Sequence, residues 1–482
     1  MIVKTSLWKH QQQMVDFALS RLNSDKAITV GSGWNISQIN GGMSYWLAGC
    51  STGKTLSIYK VIEMMNYKKV LIVTTKAAAV SAWKKDAEKH LENVNVVTAI
   101  GDSKNAKKQA LIANNGDTFV YVINYESAWR IAPELIRTGF DLLVLDESHK
   151  AKAHNSAQSK GLAEIASYIP HKIAMTGTGF SERITDVYGQ VRALQPVRMP
   201  RIGWQSEILG KWTDFFEKYV DYFTYEGKKI PKGYKNVDEL KEILQPFTLY
   251  VDSEVVLDLP NVIDIDYNVP MSNEISTAYQ QMSTRFLADL HGGIVVADNI
   301  LEQAIRLHQI TSGYLPNELG EATPIVPDNK NPKLLATLDI LDEIGGKPTV
   351  IFTRFREDVN TLQRNLEKNG YSTKLLTGTI NQQIEWQYDK QGQILIANIQ
   401  AGGEGVDLTR ARYCIYYSIG HSRTSYIQSL ARIRRVGADL NFPVTYYNLI
   451  MENSIDIDIR NAMLGKATLE QSLLDGVTNR VI

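Results

Sequence analysis

The sequence predicts an α/β fold: two tandem parallel-sheet lobes with a helical projection and a linker between them. Three observations carry this. Val70-Leu71-Ile72-Val73, Phe119-Val120-Tyr121-Val122-Ile123 and Leu142-Leu143-Val144-Leu145 are uninterrupted apolar runs, as expected of strands buried on both faces of a parallel sheet. Helical patterns lie between them, the alternation of a doubly wound sheet. The same rhythm stops near residue 196 and returns from residue 333. With 482 residues the chain can hold two or three domains with real cores. We expect a first lobe over 1–262, its helical projection at 196–262, and a second lobe over 263–482.

Taken in order, residues 1–30 hold an amphipathic helix, because Leu7, Trp8, Gln11, Met14, Val15, Phe17 and Ala18 form a helical stripe. Residues 31–45 are rich in Gly and Asn, and Asn40-Gly41-Gly42 is expected as a hairpin turn. Met43 to Leu47 reads as a strand. A loop and a helix follow, with Leu56, Tyr59 and Ile62 on one side. After the three apolar runs, Lys172-Ile173-Ala174-Met175 is a further strand. Trp212, Phe215, Phe216, Tyr219, Tyr222 and Phe223 make an aromatic stripe at helical spacing, suited to packing a helical projection. Residues 271–313 read as helical entry to the second lobe, and 314–332, rich in Pro, Asn, Gly and acid, as a linker. The second lobe's strands are expected at 349–352, 373–376, 393–396, 413–417 and 444–447.

Composition removes several classes. Hydrophobic content of 44% and charged content of 22% are ordinary for a soluble protein. Lys+Arg and Asp+Glu both number 52, so any nucleic-acid contact is confined to a local cleft rather than a global basic field. Cys50 and Cys414 are too few for a disulfide framework or a cysteine-rich zinc site. No apolar run approaches the roughly 20 residues of a membrane helix. No signal pattern opens the chain. A cytoplasmic protein is expected.

The chemistry starts at Ala48-Gly49-Cys50-Ser51-Thr52-Gly53-Lys54-Thr55, which fits a phosphate loop. Backbone N–H groups of Ser51, Thr52 and Gly53 can face a triphosphate, and Gly53 permits close approach. Lys54 can reach the β- and γ-phosphates and the Thr55 hydroxyl can ligate Mg2+. The helix that follows points its positive end at them. Asp146-Glu147 ends an apolar strand, the place where ligands of such sheets bind. Asp146 would hold Mg2+ through water, and Glu147 would orient and deprotonate the attacking water. Gln428 to Arg435 lies on a predicted helix of the second lobe. Arg432 and Arg435 are three apart and would share one face, from which both could reach the γ-phosphate, while Arg434 faces elsewhere. Ala401 to Thr409 is a Gly-rich turn whose backbone N–H groups, at Gly403, suit a phosphate. Two similar sheets with one phosphate loop suggest a shared nucleotide site.

These elements in this order resemble the superfamily-two helicase motor, and more narrowly the Swi/Snf-type ATP-dependent DNA translocases, over nearly the whole chain. The resemblance implies two RecA-like lobes, ATP and Mg2+ as cofactors, and duplex DNA as partner. Leu7 to Gln11 looks like the glutamine motif, with Gln11 reading adenine. Thr176, Gly177 and Thr178 resemble the motif that couples hydrolysis to nucleic acid, and Gln428 opens a further coupling motif. Thr75 and Lys76 in the first lobe, and Thr353 and Arg354 in the second, are the implied nucleic-acid contacts. Leu257 to Pro260 looks like the hinge between lobes, and Lys333-Leu334-Leu335 like the entry to the second. Ala48, Ser51, Ser148, Gly179 and Ala431 depart from the family's pattern and mark a divergent, compact member, similar to motors of bacteria and their viruses.

The expected function is ATP hydrolysis coupled to translocation on, or remodelling of, double-stranded DNA by a monomeric motor. The alternatives are a strand-separating DNA or RNA helicase, for which the 31–45 hairpin could be a wedge, and a non-translocating ATP-gated clamp. Asn329-Lys330-Asn331-Pro332 lacks the acid of a guanine-reading motif, which disfavours a switch GTPase.

Overall fold

The apolar stretch Met43–Ala48 forms strand β1, buried at every position. The computed structural model describes all residues except 24–27, 31–36, 40–41, 113–117, 178–182, 226, 292–296, 318–320, 400–405, 476–478 and 482. The chain divides into two compact units, Met1–Leu257 with Ala467–Ile482, and Asp258–Lys466.

In the first unit, helix α1 (Lys9–Leu22) buries His10, Gln11, Met14, Val15, Ala18 and Leu22, and α2 (Lys54–Met64) follows β1. The strands are then β2 (Lys69–Thr74), β3 (Asn95–Ala99), β4 (Phe119–Asn124), β5 (Leu142–Asp146), β6 (His171–Thr176) and β7 (Thr248–Val251). They lie in the order β7-β1-β6-β5-β2-β4-β3, every pair parallel. Neighbouring side chains alternate between two cores. Tyr45, Leu71, Tyr121 and Leu143 enter one, and Trp46, Val70, Val120 and Val144 the other. Burying each such side chain contributes about 1.5–3 kcal/mol, so the strands are rigid supports. Their register aligns the carboxyl ends: Thr176 stands opposite Leu47, and Met175 opposite Asp146. The loops after β1, β5 and β6 therefore share one edge of the sheet.

Two local expectations change in the first unit. Ile28–Val30 pairs antiparallel with Ser37–Ile39, while β1 joins the main sheet. A turn at 40–42 therefore does not close a hairpin with β1; Asn40 and Gly41 themselves lie outside the described residues. In the 196–262 region, helix α3 (Trp212–Tyr219) carries Trp212, Phe215, Phe216 and Tyr219, but Tyr222 and Phe223 do not continue it. They belong to Val220–Tyr225, paired antiparallel with Lys228–Tyr234, because this segment is rich in aromatic and β-branched residues that favour a pleated strand. The projection is thus partly hairpin.

In the second unit, β8 (Val262–Val269) precedes helices α4 (Asn273–His291) and α5 (Ala297–Thr311). The stretch expected as a linker, 314–332, holds local structure among its described residues. Tyr314–Pro316 pairs with Ala322–Pro324, and the Asn331 side chain caps α6 (Pro332–Glu343) by accepting from the N–H groups of Lys333 and Leu334. Strands β9 (Thr349–Thr353), β10 (Thr373–Leu376), β11 (Ile394–Asn398), β12 (Tyr413–Tyr416) and β13 (Val444–Met451) follow, with helix α7 (Arg423–Ile433) before the last. The sheet order is β8-β13-β12-β9-β11-β10, all parallel.

The chain ends with helix α8 (Ile455–Asp475) and strand β14 (Arg480–Val481). β14 pairs in parallel with β7, so that, among the described residues, the first sheet has eight strands. Val481 is buried in that unit's core, and Asn479 Nδ2 donates to the carbonyls of Gln245 and Thr248 at 2.7 and 3.1 Å. Residues 467–482, assigned from the sequence to the second lobe, thus belong with the first. Among the described residues no helix is long and apolar enough to cross a membrane.

Candidate nucleotide-hydrolysis site

β1 delivers the phosphate loop and α2 receives it. Ala48, in place of the usual Gly, is the last residue of β1 and is fully buried. Ser51 has φ +63° and Gly53 φ +76°, both left-handed. Ser51 thus adopts a backbone that Gly takes freely and a side chain takes at a cost of about 1–2 kcal/mol. The loop is pinned from several sides. Gly49 N–H donates to the Val251 carbonyl at 3.1 Å, and the Thr52 hydroxyl to the Gly49 carbonyl at 2.9 Å. His10 Nε2 donates to the Thr52 carbonyl at 3.0 Å. Lys54 Nζ donates to the carbonyls of Ala48 and Gly49 at 2.9 and 3.1 Å, so the ammonium lies over the loop. Thr55 is half-buried in the first turn of α2. Gln11 is buried; its Oε1 accepts from Trp8 N–H at 2.9 Å, and its amide nitrogen abuts Gly53.

The acidic pair ends β5. Asp146 Oδ2 accepts from the Thr74 hydroxyl at 2.8 Å and from the Trp83 indole N–H at 2.9 Å. Oδ1 keeps no hydrogen-bond partner among the described residues. Burial, and Glu147 beside it, hold the Asp146 carboxyl above the usual range, against the pull of Trp83, Lys54 and Thr74. A buried carboxylate with one oxygen held and the other open fits a divalent cation, with Thr55 the nearest sequence candidate for a second ligand. Among the described residues no cluster of three His, Cys, Asp or Glu could hold a metal by itself.

Glu147 has φ +51°, a left-handed backbone for a non-Gly residue. Its Oε2 accepts from the Thr176 hydroxyl at 3.3 Å and lies 3.2 Å from His149 Nδ1. His149 Nδ1 is in turn 3.1 Å from Thr176 Oγ1. Ser148 is accommodated without disturbance: its buried hydroxyl donates to Gln190 Oε1 at 2.7 Å, which also accepts from Tyr45 at 2.9 Å. Gly177 follows Thr176 against the loop, with Ala48 O and Cys50 Sγ 3.5 and 3.7 Å from where its Cβ would stand. Thr178 lies outside the described residues. The first unit therefore gathers Gln11, Ser51 to Thr55, Asp146, Glu147, Thr176 and Gly177 at one sheet edge.

Of the expected nucleic-acid contacts, Thr75 is buried and caps the helix after β2 by accepting from Ala78 N–H at 3.3 Å. Lys76, next along, is exposed. In the second unit Thr353 is fully buried, so its hydroxyl is not presented at the surface, contrary to expectation. It is the last residue of β9, opposite Asn398 at the end of β11. Arg354 is half-buried and turned inward: Nη1 donates to His308 Nδ1 at 3.0 Å, and the guanidinium lies over Phe355.

Gln428 is buried on α7. Arg432 is on the same helix, but Arg435 is not. The helix ends at Ile433, and Arg434 caps it in an extended conformation (φ −91°, ψ 90°) with Nε donating to the Pro260 carbonyl at 2.6 Å. The shared helical face predicted for Arg432 and Arg435 is thus absent; three-residue spacing places side chains together only while the helix lasts. Arg435 Nη1 donates to the Val406 carbonyl at 3.5 Å. Gly403 lies outside the described residues; just after it, the Asp407 carboxylate accepts from Thr409 N–H and hydroxyl at 3.1 and 2.9 Å and holds the turn.

Sequence reasoning missed Thr74 and Trp83, which hold the Asp146 carboxylate, and Gln190, which holds the neighbouring Ser148. Trp83 had a signal: it is the one aromatic in the Ala-rich run 77–87.

Two family profiles match the chain, and the first runs past Leu257 into the second unit. The profile of the SNF2-related domain matches residues 10–313, and that of the helicase conserved C-terminal domain matches residues 331–437. The chain is 24% identical over 453 residues to the chromodomain-helicase-DNA-binding protein 1-like of Danio rerio, covering 89% of this chain and 42% of that protein. It is 23% identical over 452 residues to the putative ATP-dependent helicase/translocase YwqA of Bacillus subtilis, covering 88% and 46%. The chain therefore spans about half the length of these curated relatives. A solved SWI2/SNF2 ATPase core of Sulfolobus solfataricus in complex with dsDNA aligns over 99% of this chain and 94% of that one, at 18% identity and a TM-score of 0.43.

Proposed function

This chain belongs to the SNF2-related family, and on that premise we propose that it hydrolyses ATP with Mg2+ and uses the energy to translocate on, or remodel, double-stranded DNA. The observation that carries the reading is the meeting of the Lys54 loop, Asp146, Glu147 and Thr176 at one edge of the first sheet. The match over 10–313 supports the assignment.

Each residue has a task. Backbone N–H groups of Ser51 to Thr55 face the phosphates at the start of α2, where the helix end favours negative charge. Lys54 would exchange its loop carbonyls for β- and γ-phosphate oxygens. Thr55 and Asp146 would hold Mg2+, which when bound neutralises charge on those oxygens. Glu147 would orient the attacking water and accept its proton. Thr176 and His149, both within hydrogen-bond reach of Glu147, would fix its carboxylate and make it responsive to the loop beyond β6. Gln11 would read adenine. Arg432 and Arg435 are proposed as the arginines that stabilise the γ-phosphate in the transition state, Gly403 as a backbone contact, and Gln428 as a coupling residue. Lys76 and Arg354 are proposed to meet DNA phosphates, which would make binding sequence-independent and salt-sensitive. For Arg354 this requires release from His308.

The test is the steady-state ATPase rate with no polymer, duplex DNA, single-stranded DNA and RNA. We expect the largest rise with duplex DNA. Equal rates in all four would point to an ATP-gated clamp, and a preference for single strands or RNA to a strand-separating helicase.

A further inference from the structure

The helix after β2 is irregular. Lys76–Ala78 is α-helical, Ala79–Lys84 is a π-helix, and Lys85–His90 returns to α. π-turns are rare and cluster at functional sites, because the wider i→i+5 turn redirects a side chain at the expense of regular bonding. Here the redirected side chain is Trp83. It is fully buried, and its indole N–H reaches Asp146 Oδ2 at 2.9 Å. Its backbone carbonyl accepts from the Tyr59 hydroxyl at 2.7 Å, and the two rings meet edge to face at 5.4 Å. Tyr59 sits on α2, the helix that begins at Lys54. One side chain thus ties the phosphate-loop helix to the carboxylate that ends β5.

A core tryptophan needs only volume and a partner for its N–H. This one spends the N–H on the oxygen already held by Thr74, leaving the other oxygen without a partner among the described residues. Two donors on one oxygen fix the rotation of the carboxylate. They also leave the open oxygen as the one a cation can use.

We propose that Trp83 is a positioning residue for the divalent-cation site: its indole N–H sets the orientation of Asp146, and Tyr59 sets the orientation of Trp83. This rests on the ATPase reading above, which names Asp146 as the residue that would hold Mg2+. Partners that orient a metal's ligands are commonly worth 10–100-fold in metal affinity.

The test is nucleotide affinity of the full chain, measured by displacement of a fluorescent ADP with Mg2+ and with EDTA. In the wild type Mg2+ should tighten binding. In Trp83→Phe that gain should fall about tenfold, with affinity in EDTA unchanged. Tyr59→Phe removes one hydroxyl and little volume, so it carries the test if Trp83→Phe fails to fold. Its Mg2+ gain should fall in the same direction by about two- to threefold, and its affinity in EDTA should hold. A role in packing alone would weaken binding equally with and without Mg2+, and that result overturns the proposal. So does an undiminished Mg2+ gain in both variants. If the wild type bound no nucleotide, the ATPase reading itself would fall, and this inference with it.

Discussion

The Gln11 amide nitrogen fills the space that a Cβ on Gly53 would need. The first helix and the phosphate loop are therefore in direct contact, and Gly53 is required twice, by its left-handed φ of +76° and by Gln11. Gly53→Ala should strain the loop by about 1–3 kcal/mol. If most of that falls on the loop's ability to meet phosphate, ATP affinity drops about tenfold or more, since 1.4 kcal/mol is tenfold. Nucleotide titration and a melting curve check this; unchanged values for both would mean that the loop is built differently.

Glu147 is placed to handle water rather than phosphate. Glu147→Gln keeps the shape and the acceptor for Thr176 but removes the base. ATP binding should stay within a few-fold, while kcat falls by about 10²–10⁴. Single-turnover hydrolysis beside equilibrium binding checks it. A variant that keeps its rate would remove Glu147 from the chemistry.

Arg432 lies on α7 and Arg435 beyond its end. Arginines that stabilise a transferring phosphoryl group are worth about 10³–10⁵ in rate in other enzymes. Arg432→Ala should lower kcat at least about tenfold with little change in ATP affinity. Steady-state kinetics at saturating ATP read this directly. A silent Arg432→Ala would rule out its role at the γ-phosphate.

The second unit holds a buried charged group of its own. Lys333 Nζ and Asp456 Oδ2 are 2.6 Å apart, with His308 Nε2 3.6 Å from the same carboxylate. Burial holds His308 down to about 3; Asp456 opposes this, and Lys333, Arg354 and His421 add to it. Unfolded, a histidine titrates near 6.5. Between these values the unfolded chain binds the extra proton. His308 therefore contributes stability that is complete above about pH 6.5 and is lost as pH falls toward about 3, at up to about 1.4 kcal/mol per unit. Asp358 runs the other way: burial pushes its carboxyl up to about 6, so its contribution is present at low pH and lost as pH rises through that value. The two oppose each other, so the useful quantity is a difference. The gap in urea midpoint between wild type and His308→Gln should shrink as pH falls from about 7 to about 4. A constant gap would contradict a neutral, buried His308.

The strands that carry the site were legible because they are continuous apolar runs, and β1, β2, β4, β5 and β6 all formed where those runs lie. β3, β7 and β8 were not. Asn95–Ala99 is a half-buried edge, Thr248–Val251 is too short to show a period, and Val262–Val269 alternates with Asp264, Asp266 and Asn268 in a largely exposed edge strand. The loop and acidic residues were readable because their chemistry fixes residue type and order. Arg435 was misplaced because helix ends are set by caps and contacts such as Arg434 with Pro260, which spacing does not encode. Trp83 escaped notice because a π-turn, not a motif, brings it to Asp146. The return of Asn479 to Val481 to the first sheet depends on pairing across more than two hundred residues, which no local pattern announces.

Motion along duplex DNA is read most directly by triplex displacement, with Lys54→Ala as the inactive reference. If ATP hydrolysis drives motion along duplex DNA, the wild type with ATP and Mg2+ releases the third strand while the underlying duplex stays paired, and Lys54→Ala releases none. Full DNA-stimulated ATP consumption with the third strand still in place would contradict it.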